Sequence, residues 1–87
     1  MLFRSPVILR TESNTLDVRG QRVTDAEIMV DRAIAAAQDV IWIIHGHGTG
    51  KLRMGIHAYL KQHHRIARFE AAPQNEGGSG VTLCYLR

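Results

Sequence analysis

The sequence predicts a two-layer α/β domain with the order β-α-β-α-β-β and a four-stranded mixed sheet. Three observations support this fold class. The chain has 87 residues, which limits it to one small core. Its hydrophobic content of 45% and charged content of 22% are ordinary for a globular domain. Strand-like and helix-like hydrophobic patterns alternate along the chain, which is typical of α/β folds.

The N-terminal part of the chain predicts an irregular arm followed by a short strand. Residues 1–14 show no sustained hydrophobic period, and we interpret them as a linker or N-terminal arm. Residues 15–18 alternate polar and apolar side chains and stop before Gly20, as a short strand would.

A helix and a buried strand are predicted next. Thr24, followed three residues later by Glu27, matches a capping box, and apolar residues at helical spacing extend the predicted helix over about 24–38. The continuous β-branched and aromatic run at 40–44 predicts a central strand that is buried on both faces.

The second half of the chain predicts a helix and two strands. Apolar residues at helical spacing follow a glycine-rich segment and continue to about His64. Residues 66–71 predict a strand, 73–80 a polar turn, and alternation from Val81 a final strand. We expect a parallel core with right-handed crossovers, both helices on one face, and the final strand added through the glycine-rich turn.

The charge distribution and the cysteine content indicate which kind of partner the protein binds and in which compartment it is found. The net charge is +3, but no Asp or Glu occurs in residues 40–69, which hold all five histidines. Five cations also lie there: Lys51, Arg53, Lys61, Arg65 and Arg68. This half of the domain should attract polyanions, unless it is simply a solvated basic surface. No apolar run is long enough to span a membrane, and the single Cys84 suits a reducing compartment, so we expect a cytoplasmic protein.

Polar clusters follow two predicted strands at the edge where α/β sheets bind ligands. The first cluster contains Asp17 and Arg19, and the second begins at His45. If the two strands are neighbours, Asp17 or Arg19 can approach His45, since adjacent strands lie about 5 Å apart. The alternative for Asp17 is an ion pair with Arg19, Arg22 or Lys51.

The glycine-rich segment between the buried strand and the second helix has the features of a phosphate-binding loop. Gly46, Gly48 and Gly50 would let a phosphate approach the backbone N–H groups at the helix start, where the helix dipole also favours an anion. Lys51 and Arg53 add side-chain charge. The spacing matches neither a P-loop nor a dinucleotide fingerprint. The alternative is a merely tight turn.

His45 is the candidate for proton transfer, because an unperturbed imidazole titrates near neutral pH. The alternative is an imidazole that binds phosphate or orders the loop. Asp17 could orient His45, position a water molecule or hold a divalent cation. A zinc site at His45 and His47 lacks a clear third ligand. The sequence also lacks a dense carboxylate cluster of the two-metal kind, so we expect at most one bound metal.

Three segments resemble the small MutS-related (Smr) domain family. The segment Leu16-Asp17-Val18-Arg19-Gly20 matches its first motif, with Val18 in place of the commoner leucine. The segment His45-Gly46-His47-Gly48-Thr49-Gly50-Lys51-Leu52-Arg53 matches its second motif, and residues 77–82 resemble its closing turn and strand. The resemblance places an Smr domain at residues 15–87 and makes 1–14 a tether.

The resemblance implies a fold and a site. The fold of Smr domains resembles the C-terminal domain of a bacterial translation initiation factor. Family members are described as endonucleases that nick DNA, and some act on RNA. Asp17 and His45 are then the candidate catalytic residues. The candidate phosphate and nucleic-acid ligands are Arg19, Gly46, His47, Gly48, Gly50, Lys51 and Arg53.

The resemblance also implies a biological setting. The chain looks most like the C-terminal domain of the bacterial MutS paralogue that suppresses recombination, which would tether it to an ATPase body. Expected partners are DNA, including branched DNA, and RNA or the ribosome. The resemblance implies no definite cofactor, although a divalent cation, magnesium or manganese, suits the reaction. The alternative function is a noncatalytic module that binds DNA, RNA or ribosomes for a larger ATPase.

Overall fold

The computed structural model describes residues 9–87, and its strands and helices follow the predicted order. The strands are β1 (Thr15–Asp17), β2 (Val40–Ile44), β3 (Ile66–Ala71) and β4 (Val81–Leu86). The helices are α1 (Val23–Ala36) and α2 (Lys51–Gln62). The predicted fold class is therefore confirmed, and β3 has the predicted bounds.

The sheet has the strand order β1-β2-β4-β3. β1 and β2 are parallel, whereas β4 is antiparallel to both β2 and β3. The expected parallel core is thus wrong in one respect, because β4 inserts between β2 and β3 and leaves a single parallel pair. The carboxyl ends of β1 and β2 still meet at one edge, since their register pairs Asp17 with Ile44.

Both helices cover one face of the sheet, as predicted. Ile41 and Ile43 of β2 alternate with Trp42, so that strand supplies side chains to both faces. The helix-side core contains Ile41, Ile43, Ala26, Val30, Ile34, Ile56 and Leu60. The opposite face carries a second cluster of Trp42, Ala72, Val81 and Leu83. Strand β2 is therefore buried on both faces, as its apolar run predicts.

The start of α1 differs from the prediction. The helix begins at Val23 with Arg22 as its N-cap residue, and the cap makes no side-chain hydrogen bond. The proposed capping box is therefore wrong, because Thr24 lies inside the first turn rather than at the cap. The helix also ends at Ala36, two residues before the expected end at 38.

The described part of the predicted arm contacts the rest of the domain. Residues Glu12–Asn14 form one 3-10 turn before β1. Arg10 donates from Nη1 to the carbonyl of Glu76 at 2.9 Å, and its guanidinium lies 5.9 Å from the ring centre of Trp42. The arm prediction for residues 1–8 lies outside the described residues. Within the described part of the arm, Arg10 contacts Trp42 on the helix-free face of the sheet.

Candidate functional site

A cleft of about 380 Å³ lies where the glycine-rich loop meets the start of α1. One wall consists of Gly20, Gln21, Arg22 and Val23. The other wall is the continuous segment from His45 to Arg53. The structure therefore brings together seven of the nine predicted site residues: His45, Gly46, His47, Gly48, Gly50, Lys51 and Arg53. Asp17 and Arg19 do not line this cleft.

The loop conformation depends on glycine at the positions that face the cleft. Gly46 and Gly50 have φ values of +80° and +84°, and Gly48 also has a positive φ. Residues other than glycine rarely adopt positive φ values, which explains why glycine recurs at alternate positions. A Cβ at Gly46 would also lie 3.4 Å from the side chain of Arg19. The loop is thus packed against Arg19 at Gly46, whereas a Cβ at Gly48 or Gly50 would meet no atom within 4 Å.

The first turn of α2 is suited to an anion. Its N-cap is Gly50, which offers no side-chain cap, and the first turn contains no acidic residue. Lys51 N–H donates weakly to Thr49 Oγ1 at 3.3 Å, and the first helical bond runs from Met54 N–H to the Gly50 carbonyl. The intervening N–H groups lack helical acceptors, so they and the helix dipole favour a bound phosphate.

The first turn of α1 is less suited to an anion, although it borders the same cleft. Asp25 lies in that turn and already supplies negative charge to the helix start. Arg22, the N-cap residue, adds a cation to the wall of the cleft. The α2 side of the cleft is therefore the stronger site for an anion.

The five Lys and Arg residues of segment 40–69, which lacks Asp and Glu, do not all face the cleft. Lys51 and Arg53 line it and are exposed. Arg65 instead donates from Nη1 to the carbonyl of Ile34 at 2.9 Å. Arg68 pairs with Glu70 at 3.3 Å and lies 3.8 Å from the ring centre of Tyr85. Arg65 and Arg68 thus have structural partners, and of the five cations Lys51 and Arg53 line the cleft. The attraction of this half of the domain for polyanions stays a prediction.

Asp17 forms the ion pair that was its alternative interpretation. Arg19 donates from Nη2 to Oδ2 at 2.6 Å and from Nε to Oδ1 at 3.0 Å. The Arg19 backbone N–H also donates to Oδ1 at 3.0 Å. These hydrogen bonds lower the pKa of Asp17 to about 2, so the carboxylate is charged at neutral pH and accepts hydrogen bonds only.

Of the two residues expected to approach His45, Arg19 packs beside the adjacent Gly46, whereas the expectation for Asp17 is wrong in this arrangement. Asp17 is in register with Ile44, the residue before His45, and successive side chains of a strand point to opposite faces. His45 instead makes both of its ring hydrogen bonds to other groups, Gly46 and Thr82. Asp17 therefore does not orient His45, while its roles toward water or a cation stay predictions.

His45 is 6% exposed, although it lines the cleft. Its Nδ1 lies 3.0 Å from the Gly46 carbonyl, and its Nε2 lies 2.8 Å from Thr82 Oγ1. Burial is the main cause that lowers the pKa of His45 below 6.5; the hydrogen bond to Gly46 opposes this shift, and the neighbouring Arg53 and His47 reinforce it. The imidazole is therefore neutral at pH 7.

Two residues of this site were missed or misjudged from the sequence. Thr82 is 1% exposed. Its side chain lies on the helix side of β4, because Thr82 pairs in register with Ile43, a residue of the helix-side core. His57 of α2, which the sequence patterns did not assign to the site, places its Nε2 2.8 Å from Thr82 Oγ1. A polar residue on the core side of a central strand was the signal that could have identified Thr82.

Neither a metal centre nor a membrane span is found in the described residues. Residues 9–87 contain no group of three or more His, Cys, Asp or Glu side chains placed to hold a metal ion. In the same range, neither helix has the length and apolar character needed to cross a bilayer.

Comparison with known proteins connects this architecture to one family. The model of the Smr domain family matches residues 16–87. Endonuclease MutS2 of a Synechocystis strain is 54% identical over 84 residues, which cover 94% of this chain and 10% of that protein. Endonuclease MutS2 of Pediococcus pentosaceus is 46% identical over 77 residues, covering 84% of this chain and 10% of its own length. The chain spans about a tenth of these relatives.

Solved structures agree with this assignment. The Smr domain of Thermus thermophilus MutS2 superposes with a TM-score of 0.81 at 38% identity, covering 85% of this chain and 98% of that one. The stand-alone small MutS-related protein YdaL of Escherichia coli gives a TM-score of 0.75 at 23% identity. That alignment covers 88% of this chain and 66% of YdaL, and it supports the fold alone.

Proposed function

The chain belongs to the Smr domain family, and from this premise we propose that it is a nucleic-acid-binding endonuclease domain that nicks DNA. One observation carries the proposal. The acid-free first turn of α2, with Lys51 and Arg53 on its surface, opens onto a cleft whose glycine-rich wall also contains His45. Such a cleft presents backbone N–H groups, two cations and an imidazole to one phosphodiester.

The proposed reaction is hydrolysis of a phosphodiester, with roles for side chains of the cleft. The N–H groups at the start of α2, Lys51 and Arg53 hold the phosphate oxygens. His45 transfers a proton to or from the reacting oxygen. Water attacks the phosphorus as the ester oxygen leaves. Asp17 is ionised, but it is paired with Arg19 and does not line the cleft, so we assign it no direct contact with the reacting phosphate.

The names of the relatives support the proposed activity. Both MutS2 proteins compared above are named endonucleases, and the matched segment is about a tenth of each. We propose that this domain is likewise attached to a larger MutS2-like ATPase in the cytoplasm, where it acts in suppression of recombination. Branched DNA and structured RNA are the further substrates to be compared with duplex DNA.

A noncatalytic binding module is the second candidate, and one observation favours it. Both ring nitrogens of His45 already have hydrogen-bond partners within the domain. An imidazole used only to order the loop would have this arrangement. The same cleft would then bind DNA, RNA or ribosomes without cutting them.

The experiment that separates the two candidates is a cleavage and binding assay of this 87-residue chain. Supercoiled plasmid, branched DNA and structured RNA are each incubated with magnesium, manganese or a chelator. Nicked plasmid that increases with protein concentration would support the endonuclease and identify its metal requirement. Binding without a product under every condition would contradict it and support the binding module.

We expect Lys51→Ala and Arg53→Ala to weaken nucleic-acid binding in a salt-dependent way. Each lost phosphate contact lowers the slope of log affinity against log salt by about 0.7 to 0.9, because fewer counterions are released. Titrations over a range of salt concentrations measure this slope. Lys61→Ala is the matched control, since Lys61 is an exposed cation of the same helix that does not line the cleft. Unchanged slopes for Lys51→Ala and Arg53→Ala would place the binding surface elsewhere.

A further inference from the structure

Two histidines from different elements share one buried hydroxyl group. His45 follows β2, His57 belongs to α2 and Thr82 belongs to β4. Each imidazole places its Nε2 2.8 Å from Thr82 Oγ1. The rings meet edge to face with centres 5.9 Å apart, and Phe69 packs at 4.8 Å against the ring of His57. This His-Thr-His chain lies directly behind the glycine-rich loop.

The directions of the hydrogen bonds in this chain follow from donor and acceptor chemistry. A carbonyl oxygen only accepts, so His45 Nδ1 carries the hydrogen that bonds to Gly46. A neutral imidazole has one N–H, which leaves His45 Nε2 as an acceptor. Thr82 must therefore donate its single hydroxyl hydrogen to His45. The Thr82 oxygen then accepts from His57, whose Nε2 carries the hydrogen.

The charge states are consistent with these directions. Desolvation is the main cause that lowers the pKa of His57 below 6.5, as it does for His45. The nearby cations Arg53 and Lys61 also disfavour its protonation, as a proton on His45 would. Both rings are neutral at pH 7, so each has one donor and one acceptor nitrogen.

We propose that Thr82 and His57 are positioning residues that hold His45 in the tautomer with hydrogen on Nδ1, directed toward the glycine-rich loop. His57 sets the direction of the chain, because its N–H occupies the Thr82 oxygen and leaves that hydroxyl to donate to His45. Without His57, Thr82 could accept a hydrogen from Nε2 of His45, and the other tautomer would be allowed.

The consequence for the site rests on the function proposed above. In the tautomer that the Gly46 carbonyl and Thr82 select together, His45 presents an N–H on the side of that carbonyl and the cleft. A bound phosphodiester could then accept this hydrogen bond in place of the carbonyl. Transfer of the Nδ1 proton to the leaving oxygen would require Nε2 of His45 to take the hydroxyl proton of Thr82, Thr82 to take the Nε2 proton of His57, and Nδ1 of His57 to take a proton from water. The same chain keeps the lone pair of His45 buried against β4, away from bulk water.

Long-range proton-nitrogen correlation spectra at pH 7 test this proposal without a substrate. We expect hydrogen on Nδ1 of His45 and on Nε2 of His57. Thr82→Ser retains the hydroxyl and should preserve both tautomers. Thr82→Val has nearly the same shape without the hydroxyl, and should let His45 exchange between its two tautomers. A parent spectrum with hydrogen on Nε2 of His45 would overturn the proposal.

A second pair of variants tests the role of His57. His57→Gln can still donate a hydrogen from its amide to Thr82 and should preserve the tautomer of His45. His57→Phe removes the donor but retains an aromatic ring against Phe69. We expect tautomer exchange at His45 in His57→Phe only. A fixed Nδ1–H tautomer in both His57→Phe and Thr82→Val, each with a dispersed amide spectrum, would contradict the proposal.

Cleavage rates distinguish failure of this proposal from failure of the proposed function. We expect Thr82→Val to lower the rate at saturating nucleic acid about tenfold, with unchanged affinity, and Thr82→Ser to restore it. If the spectra agree with the expected tautomers but the parent cuts nothing, the endonuclease function fails and the positioning chain stands. If the parent cuts and Thr82→Val cuts equally fast, the positioning chain fails and the function stands.

Discussion

Replacement of His45 with asparagine is expected to lower the cleavage rate by about 10² to 10⁴-fold, the usual contribution of general acid-base catalysis. The asparagine amide retains a hydrogen donor close to the place of Nδ1, so it can still bond to the Gly46 carbonyl that His45 now contacts. An amide does not transfer a proton near neutral pH. His45→Asn therefore separates proton transfer from ordering of the loop.

The matched measurement compares single-turnover cleavage and binding for the parent, His45→Asn and His47→Asn. His47 is exposed in the same loop, and we expect its substitution to change affinity rather than the rate at saturation. Binding by His45→Asn should be within a few-fold of the parent. A His45→Asn variant that cuts within a few-fold of the parent would show that His45 only orders the loop.

The environment of His45 in the structure differs from the one that the sequence predicted. The sequence suggested a histidine near Asp17, whereas the imidazole is bonded to Gly46 and Thr82. The difference arises from one residue of register, since Asp17 is opposite Ile44 and not His45. Side chains alternate across a strand, so this shift places the two groups on opposite faces.

The spacing of apolar residues along the sequence predicted the strands and helices, because that spacing reflects which side chains of each strand or helix are buried. The run Val40–Ile44 needs apolar surroundings on both faces, and the glycines of the following loop need positive φ values. The position of β4 between β2 and β3 was not predicted. The strand order depends on pairing between segments that are distant in sequence, and the spacing of apolar residues within one segment does not predict such pairing.

The His-Thr-His chain was not predictable for the same reason. His57 and Thr82 are 25 positions apart in sequence, and the packing of α2 against the sheet brings them together. A histidine on a helix and a threonine in a strand are each unremarkable in a local pattern. Their significance follows from the requirement that a hydroxyl buried in a core must have hydrogen-bond partners.

The turn before β4 supports the site through its backbone. The carbonyl of Gly80 accepts the N–H of His45 at 3.1 Å and the N–H of Gly46 at 2.9 Å. Gly80 in turn donates its own N–H to the carbonyl of Gly77 at 3.1 Å. The start of the glycine-rich loop is thus hydrogen-bonded to a turn that itself contains glycines with positive φ values, Gly77 and Gly78.

Gly77→Ala is expected to lower the free energy of unfolding by about 2 to 5 kcal/mol, for two reasons that act together. Gly77 has a φ of +113°, which a side-chain residue adopts only with strain. A Cβ there would also overlap Cγ2 of Val81, a buried β-branched residue with little rotational freedom. A small domain has about 5 to 15 kcal/mol of stability in total, so the expected loss is a large fraction of it.

Urea unfolding measures this loss as a shift of the midpoint at constant slope. Ser79→Ala is the matched control, because Ser79 is exposed in the same turn, and its effect should be within about 0.5 kcal/mol. Equal midpoints for Gly77→Ala and the parent would show that the turn adapts without strain. Because Gly80 holds the N–H groups of His45 and Gly46, a destabilised turn should also weaken nucleic-acid binding under conditions where Gly77→Ala remains folded. Such a loss would connect the backbone of this turn to the proposed phosphate site.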